Sequence, residues 1–350
     1  MSELKTTSLS HKDNNTGTPN ITMYPDGTTS LGLTHTGGFK NQIINGDFSI
    51  WQRGYDITVP LSGATDGAAY TADRWIAGQG NVRVRAATPS ASLPDFGWSL
   101  LFDGQREHDY IAQPVELTRP GRLEPFFPGT TWTFSIYHNG NPDDFGFRAY
   151  FGDGGLSSTT VDEVVPFGTV LTNLGNSRYS HTFTIPSNQV INGAATNFRV
   201  ELYSKTGAVV TGVRMTGCQL EPGPVATAFE IRPASVELSM CHRYYYRINC
   251  GGGMQISTGM STSTTANVYV FSLPSPLRVP PTYIHSGNSN FLVYRGNNSG
   301  TGVTSQDAYL PSAGNSQMRL TAVTSGTSTP GDVSQFYGNS GAWIAFDAEL

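Results

Sequence analysis

Residues 131–138 read TWTFSIYH. Trp132, Phe134 and Ile136 alternate with Thr131, Thr133, Ser135 and Tyr137. A period of two places the first set on one face of an extended strand and the second on the other. A helix would space its apolar residues three to four places apart, so this stretch is a strand with one face turned to a core. The pattern recurs on both sides of it. NVRVRAA (81–87) sets Val82 and Val84 against Arg83 and Arg85, and FRVELYS (198–204) sets Phe198, Val200 and Leu202 against Arg199, Glu201 and Tyr203. SHTFTIP (180–186) reads as a short strand with Phe183 and Ile185 on opposite faces, and GVRMTGCQLEPG (212–223) as a strand closed by a Pro-Gly turn. One-sided burial of antiparallel strands produces such alternation, and two facing sheets satisfy every stretch at once. Residues 39–233 therefore read as one jelly-roll-like β-sandwich.

Beyond residue 245 the pattern resumes in NVYVFSL (267–273), NFLVYRG (290–296), QMRLTAV (317–323) and AWIAFDAEL (342–350). These suit a second, smaller β-sandwich over residues 248–350. Between the two lies EIRPASVELSMCHRYYYRI (230–248). Pro233 stops the preceding strand, Ser235 is the expected N-cap, and Glu237 suits the first turn of a helix. Val236, Met240 and Tyr244, with Leu238, Cys241 and Tyr245, form one wide apolar face. The spacing predicts a connecting helix over 234–247. Residues 1–38 are polar, with PDG (25–27) as a turn between short strand candidates in NITMYPDGTTSLGL (20–33). So short a segment cannot bury a core and reads as an extended arm that orders against a partner. No repeat of β-helix or propeller length occurs.

Composition supports an all-β class. The 350 residues include 40 Gly and 21 Pro, and only 13% are charged. Gly and Pro supply turns in quantity. A net charge of −5 without a basic stripe argues against a nucleic-acid partner. Cys218, Cys241 and Cys250 form no CxxC pair and are odd in number, so they read as reduced thiols of a protein folding in cytoplasm. The first residues, MSELKTTSLSHKDNN, lack the apolar core of a signal peptide. No apolar run is long enough for membrane insertion as a helix.

Motifs for catalysis are absent: there is no H-E-x-x-H, G-x-S-x-G or Walker loop. DGQREHD (103–109) groups Asp103, Glu107, His108 and Asp109, but reads as a solvated loop. NPDDFGFRAYFGDGG (141–155) lacks the spacing of a calcium loop. Cys241 and His242 adjoin, but neighbours on a helix point in different directions. Aromatic surface remains. Sugar rings lay apolar C–H faces on exposed Trp and Tyr while polar neighbours bond the hydroxyls. The carbohydrate-binding candidates are Trp98, Tyr110, Tyr137 and Tyr203 in the first sandwich, and Tyr283, Tyr294, Tyr309 and Tyr337 in the second. Trp51 and Trp75 read as core.

Four blocks recur in order: NQIINGDFSIWQRG (41–54), YTADRW (70–75), CQLEPGPVATAFEIRP (218–233) and ELSMCHRYYYRI (237–248). With FSLPSPLRVPPTY (271–283), they resemble the phage tail-fibre and receptor-binding proteins, whose first module is a jelly-roll carbohydrate-binding-like domain. The likeness covers residues 40–285, more loosely to 350. It implies a homotrimeric fibre, an arm at residues 1–38 that docks on a virion tail or adaptor protein, and a distal tip that meets host-surface polysaccharide or another receptor. It places the protein in the virion tail, made in the host cytoplasm and released by lysis. Related sugar-binding jelly rolls follow N-G-x-F with an acidic residue that helps hold a structural calcium. Ser49 stands there instead, leaving Asn45, Asp47 and Glu230 as the calcium candidates, and no cofactor is expected.

The expectation is a non-enzymatic trimeric tail fibre that binds host glycans. Leu238, Cys241, Tyr244 and Tyr245 are the expected assembly residues. The alternatives are a capsid fibre or decoration protein with the same modules, and a polysaccharide depolymerase. The last would need two carboxylates facing one groove.

Overall fold

The computed structural model describes residues 39–59, 67–117, 125–154, 156, 161–189, 193–205, 209–295, 300–309, 317–326 and 328–349, with the backbone of three short strands nearer the N-terminus. Those strands, β1 (Ser8–Leu9), β2 (Ile21–Met23) and β3 (Thr29–Leu31), form an antiparallel sheet. β2 and β3 pair across the PDG stretch, which itself lies outside the described residues, as does the rest of the expected arm. Residues Met1–Lys40 and Asn41–Leu350 are two separate compact units.

Within the larger unit come β4 (Asp56–Val59), β5 (Gly67–Tyr70), β6 (Ile76–Gln79), β7 (Val82–Ala87), β8 (Ser99–Gly104), β9 (Tyr110–Glu116) and β10 (Thr131–His138). Then follow β11 (Phe145–Gly152), β12 (Val161–Thr169), β13 (Thr172–Gly175), β14 (Arg178–Thr184), β15 (Asn197–Ser204) and β16 (Val210–Pro222). They build a seven-stranded sheet ordered β13-β14-β10-β16-β8-β7-β4 and a six-stranded sheet ordered β12-β11-β15-β9-β6-β5. The alternating residues fill the space between. Trp132, Phe134 and Ile136 of β10 join Phe198, Val200 and Leu202 of β15 in one core, with Trp51 and Trp75 also buried. Phe134 stacks on Phe147 across the sheets with ring centroids 4.7 Å apart.

Two details differ from the expected alternation. Phe183 and Ile185 are both buried, because residues two apart share a face of a strand. On β15 the supposed outer residues Arg199, Glu201 and Tyr203 are buried as well. Phe167 covers the Tyr203 ring at 4.0 Å, and the Arg199 guanidinium lies 5.1 Å from the Tyr110 ring centroid. Alternation reveals which face is apolar, not whether the opposite face is open.

The helix α1 (Ala234–His242) is shorter than the predicted 234–247. Tyr245 already begins a strand, as its aromatic run favours. Pro233 occupies the N-cap with no side-chain hydrogen bond, so Ser235 is not the cap. The buried positions on the helix are Glu237 and Cys241, whereas Leu238 is 37% exposed. The predicted apolar face is thus buried in part, at Cys241, Tyr244 and Tyr245, while Leu238 stays outside and Glu237 is buried in its place.

Beyond it run β17 (Tyr245–Cys250), β18 (Met254–Ser261), β19 (Ala266–Ser272), β20 (Thr282–His285) and β21 (Phe291–Arg295), then β22 (Gly300–Tyr309), β23 (Gln317–Thr324), β24 (Val333–Gly338) and β25 (Ala342–Asp347). Six of these close into a barrel, β18-β19-β23-β22-β21-β24, and β17-β25-β20 form a three-stranded sheet. Sheet residues Ile344 and Phe346 share a core with barrel residues Tyr269, Phe291 and Phe336. The all-β class holds, with closure of one layer as the refinement. Cys218, Cys241 and Cys250 are buried free thiols.

Charged and aromatic side chains join the two cores. Arg74 is buried; it ion-pairs with Glu349, donates to the Pro114 carbonyl at 2.6 Å, and lies 3.6 Å from the Tyr244 ring centroid. Arg53 sits 3.6 Å from the Tyr245 ring centroid and pairs with Asp347 at 3.2 Å. Tyr244 donates its hydroxyl to Glu116 at 2.7 Å, and burial pushes that phenol up to about 12. Burial alone would lower the Arg74 pKa, but Glu349 together with Tyr244 and Tyr70 more than offsets this and holds the guanidinium charged.

Changing one member of such a buried pair strands the other charge. Glu349→Gln should cost about 3 kcal/mol in urea unfolding; a loss under about 1 kcal/mol would mean that the seam does not depend on this pair. His138 is buried against Tyr179 with ring centroids 4.0 Å apart, and burial pushes it down to about 4. Its folded pKa lies below its unfolded value, so its contribution is complete above pH ~6.5 and is lost as pH falls toward ~4, about 3 kcal/mol in all. His138→Phe should flatten the fall in stability across that window; an unchanged pH profile would refute this assignment.

Candidate functional site

The block NQIINGDFSIWQRG folds as a loop clamped against β16 and the turn before β6. Asn41 accepts from Leu220 N at 2.9 Å and donates to the Cys218 carbonyl at 3.1 Å. Asn45 adopts φ +57, a conformation asparagine tolerates. Its amide donates to the Ile50 and Asp73 carbonyls at 2.9 and 3.0 Å and accepts from Ile50 N at 3.0 Å. Its own carbonyl accepts from the Trp75 indole at 2.9 Å. Gly46 is required next: a Cβ there would collide with the Cys218 carbonyl oxygen. Glu237 of α1 accepts from Asn45 N and pairs with Arg232 at 3.2 Å, while Arg232 donates to the Ile43 carbonyl at 2.9 Å. All four sequence blocks thus meet in one polar knot.

Asp73, within this knot, accepts from Gln52 N at 2.9 Å, and burial raises its carboxyl to about 6.

Beside the knot opens a cleft of 280 Å³ bounded by Asp47, Ser49, Phe96, Trp98, Phe229 and Glu230. Trp98 is 40% exposed and stacks on Tyr55, itself 65% exposed, with centroids 6.5 Å apart and planes 15° from parallel. Phe96 packs on Phe229 at 4.8 Å and meets the Tyr137 edge at 5.8 Å. Asp47 accepts from the Ser49 hydroxyl at 2.9 Å, and Glu230 accepts from Asn41 N at 3.0 Å. Arg232 adds an ion pair to Glu230 at 3.5 Å. The arrangement combines flat apolar faces with fixed carboxylate acceptors.

The calcium candidates do not form a cage. The side-chain oxygen of Asn45 already accepts from the backbone, while Asp47 and Glu230 border the cleft. Among the described residues no cluster of three His, Cys, Asp or Glu side chains could hold a metal. The loop carboxylates are likewise structural. Asp109 is buried and accepts from Gly80 N and Arg106 N, both at 2.8 Å. Asp103 pairs with Arg85 at 2.5 Å and accepts from Gly212 N at 2.7 Å.

Of the sugar-platform candidates, only Trp98 borders the cleft, with Tyr137 behind Phe96. Tyr203 is buried and cannot serve as an open platform, because Phe167 covers it. Tyr110 is half-buried beside Arg199 on the other sheet. In the C-terminal part, Tyr283 packs on Phe346 and bonds Gln306 at 2.6 Å. Tyr294 and Tyr337 meet edge to face at 5.3 Å, and Tyr309 is 62% exposed. Of the assembly candidates, Cys241, Tyr244 and Tyr245 are buried within the chain and Leu238 is exposed. The sequence reading did not single out Tyr55, Phe96 or Phe229. Tyr55 reaches Trp98 through the register of β4 on β7 and β7 on β8, a pairing no local pattern signals.

No protein-family model and no curated relative matches the chain. Solved structures similar to it include the enzymatically active domain of tailspike protein 4 of bacteriophage CBA120, at 10% identity and TM-score 0.31, over 52% of this chain and 21% of that one. The CBM22-1 xylan-binding domain of Paenibacillus barcinonensis Xyn10C is similar at 14% identity and TM-score 0.29, over 54% of this chain and all 100% of its own. A cyclase from Fischerella sp. TAU matches at 14% identity and TM-score 0.29, over 49% of this chain and 100% of its own.

Asn45→Ala would leave the Ile50 and Asp73 backbone groups without their partner. The expected cost is about 3 kcal/mol in chemical denaturation. A cost near zero would show that the knot does not hold the loop.

Proposed function

We propose that this chain is a non-enzymatic attachment protein of a phage particle, a tail fibre that binds host-surface glycan in the Trp98 cleft. One observation carries the reading. Trp98, part-exposed, borders a cleft that also presents Asp47, Ser49 and Glu230, and the exposed Tyr55 ring stacks beside it. Aromatic faces in water are the surface on which the C–H face of a pyranose settles, and the polar groups beside them accept its hydroxyl protons. Binding of this kind needs fixed acceptors and no proton donor.

The resemblance of the four sequence blocks to tail-fibre proteins supplies the particle, the homotrimer and the arm at residues 1–38 as docking segment. Trimerisation suits weak sugar contacts, because several linked sites act at raised effective concentration. The exposed Leu238 remains the residue for contact between copies.

Titration of the full chain with a panel of host-surface and model polysaccharides tests the site. Trp98→Ala should weaken binding roughly tenfold while leaving the unfolding midpoint nearly unchanged, since the indole is half outside the fold. Binding that survives this change would reject the cleft. Release of reducing ends from a bound polysaccharide would reject the non-enzymatic reading. Immunogold labelling of particles on the head rather than the tail would reject the address.

A further inference from the structure

We infer that the cleft selects glycans by charge, and that its preferred ligand is a saccharide bearing a free, protonated amino group. This rests on the cleft as a sugar site and adds the class of sugar. Among the described residues, Asp47, Glu230 and Glu237 border the cleft with one cation, Arg232. The Arg232 guanidinium is 2% exposed and gives its donors to Glu237, the Ile43 carbonyl and the Asn41 carbonyl, with a longer ion pair to Glu230 at 3.5 Å. Glu237 is turned inward, to Arg232 and Asn45 N. Three carboxylates against one guanidinium leave the cleft net negative, and the ligand meets Asp47 and the Arg232-paired Glu230 beside the aromatic wall.

A carboxylate only accepts hydrogen bonds. Hydroxyl groups satisfy it, and an ammonium, with three donors and a positive charge, satisfies it better. A uronate or sialate brings a second anion into a recess where water is partly displaced, which raises the cost of repulsion. The chain as a whole carries net charge −5, so its long-range field disfavours anionic polymers as well. Phe96, Trp98 and Phe229 give the apolar contact common to every sugar class. The carboxylates decide among them.

Three oligosaccharides of equal length test this by calorimetric titration of the full chain: glucosamine with free amines, its N-acetylated counterpart, and galacturonate. At a pH that keeps the amines charged, the free-amine oligomer should bind roughly tenfold more tightly than the acetylated one, with galacturonate weakest. Raised salt should narrow the spread. In Asp47→Asn, and in Asp47→Asn with Glu230→Gln, the affinity ratio should fall toward one whatever the absolute affinities. A ratio near one in the unaltered protein, or one kept in both variants, overturns the charge assignment. If that ratio of one accompanies binding that Trp98→Ala still weakens, the sugar site stands and only its charge selection fails. Binding of no oligomer, or binding indifferent to Trp98→Ala, overturns the sugar site itself.

Discussion

The Glu237 carboxylate is the tie on which the arrangement of this protein depends. It reaches from the helix into the sandwich, accepts from Asn45 N and pairs with the buried Arg232. Through Asn45 it fixes the 45–50 loop and the Asp73 turn. Through Arg232 it fixes the chain that leaves β16. A buried carboxylate is tolerated only where donors converge on it, so these segments hold one another in place. The cleft wall is part of the same network, since Glu230 accepts from Asn41 N and Asp47 lies two residues past Asn45.

The same physics operates where the two cores meet. Arg53 and Arg74 lie against Tyr245 and Tyr244 and pair with Asp347 and Glu349 near the end of the chain. Charged groups joined in this way demand one geometry, whereas an apolar contact tolerates sliding. The C-terminal barrel and its sheet are thereby registered against the sandwich. For a protein proposed to present several recognition sites at once, fixed geometry decides whether those sites can engage together.

Much of the architecture was legible along the chain. Strands with one polar face, such as β7 with Arg83 exposed and Val82 and Val84 buried, follow their alternation directly. The helix was legible in its existence and, through Cys241 and Tyr244, in part of its docked face. Its apolar residues suggested Leu238 as an anchor, and the anchor is Glu237, because the surface it meets offers Arg232 and a backbone N–H rather than a greasy groove. The platform role read for Tyr203 failed for a related reason. Phe167, from β12 two strands away in the same sheet, lies over it.

By itself the sequence determined the all-β class, the position of helix α1 and the burial of Trp51, Trp75 and the alternating apolar sets, because periodicity and turn chemistry act between near neighbours. It also marked Trp98 as a candidate surface ring. Only the tertiary structure decided that Trp98 would have Tyr55 as its stacked partner and Asp47 and Glu230 beside the same cleft. Those residues are brought together by strand register and by the convergence of loops far apart in the chain. Local preferences carry no information about either.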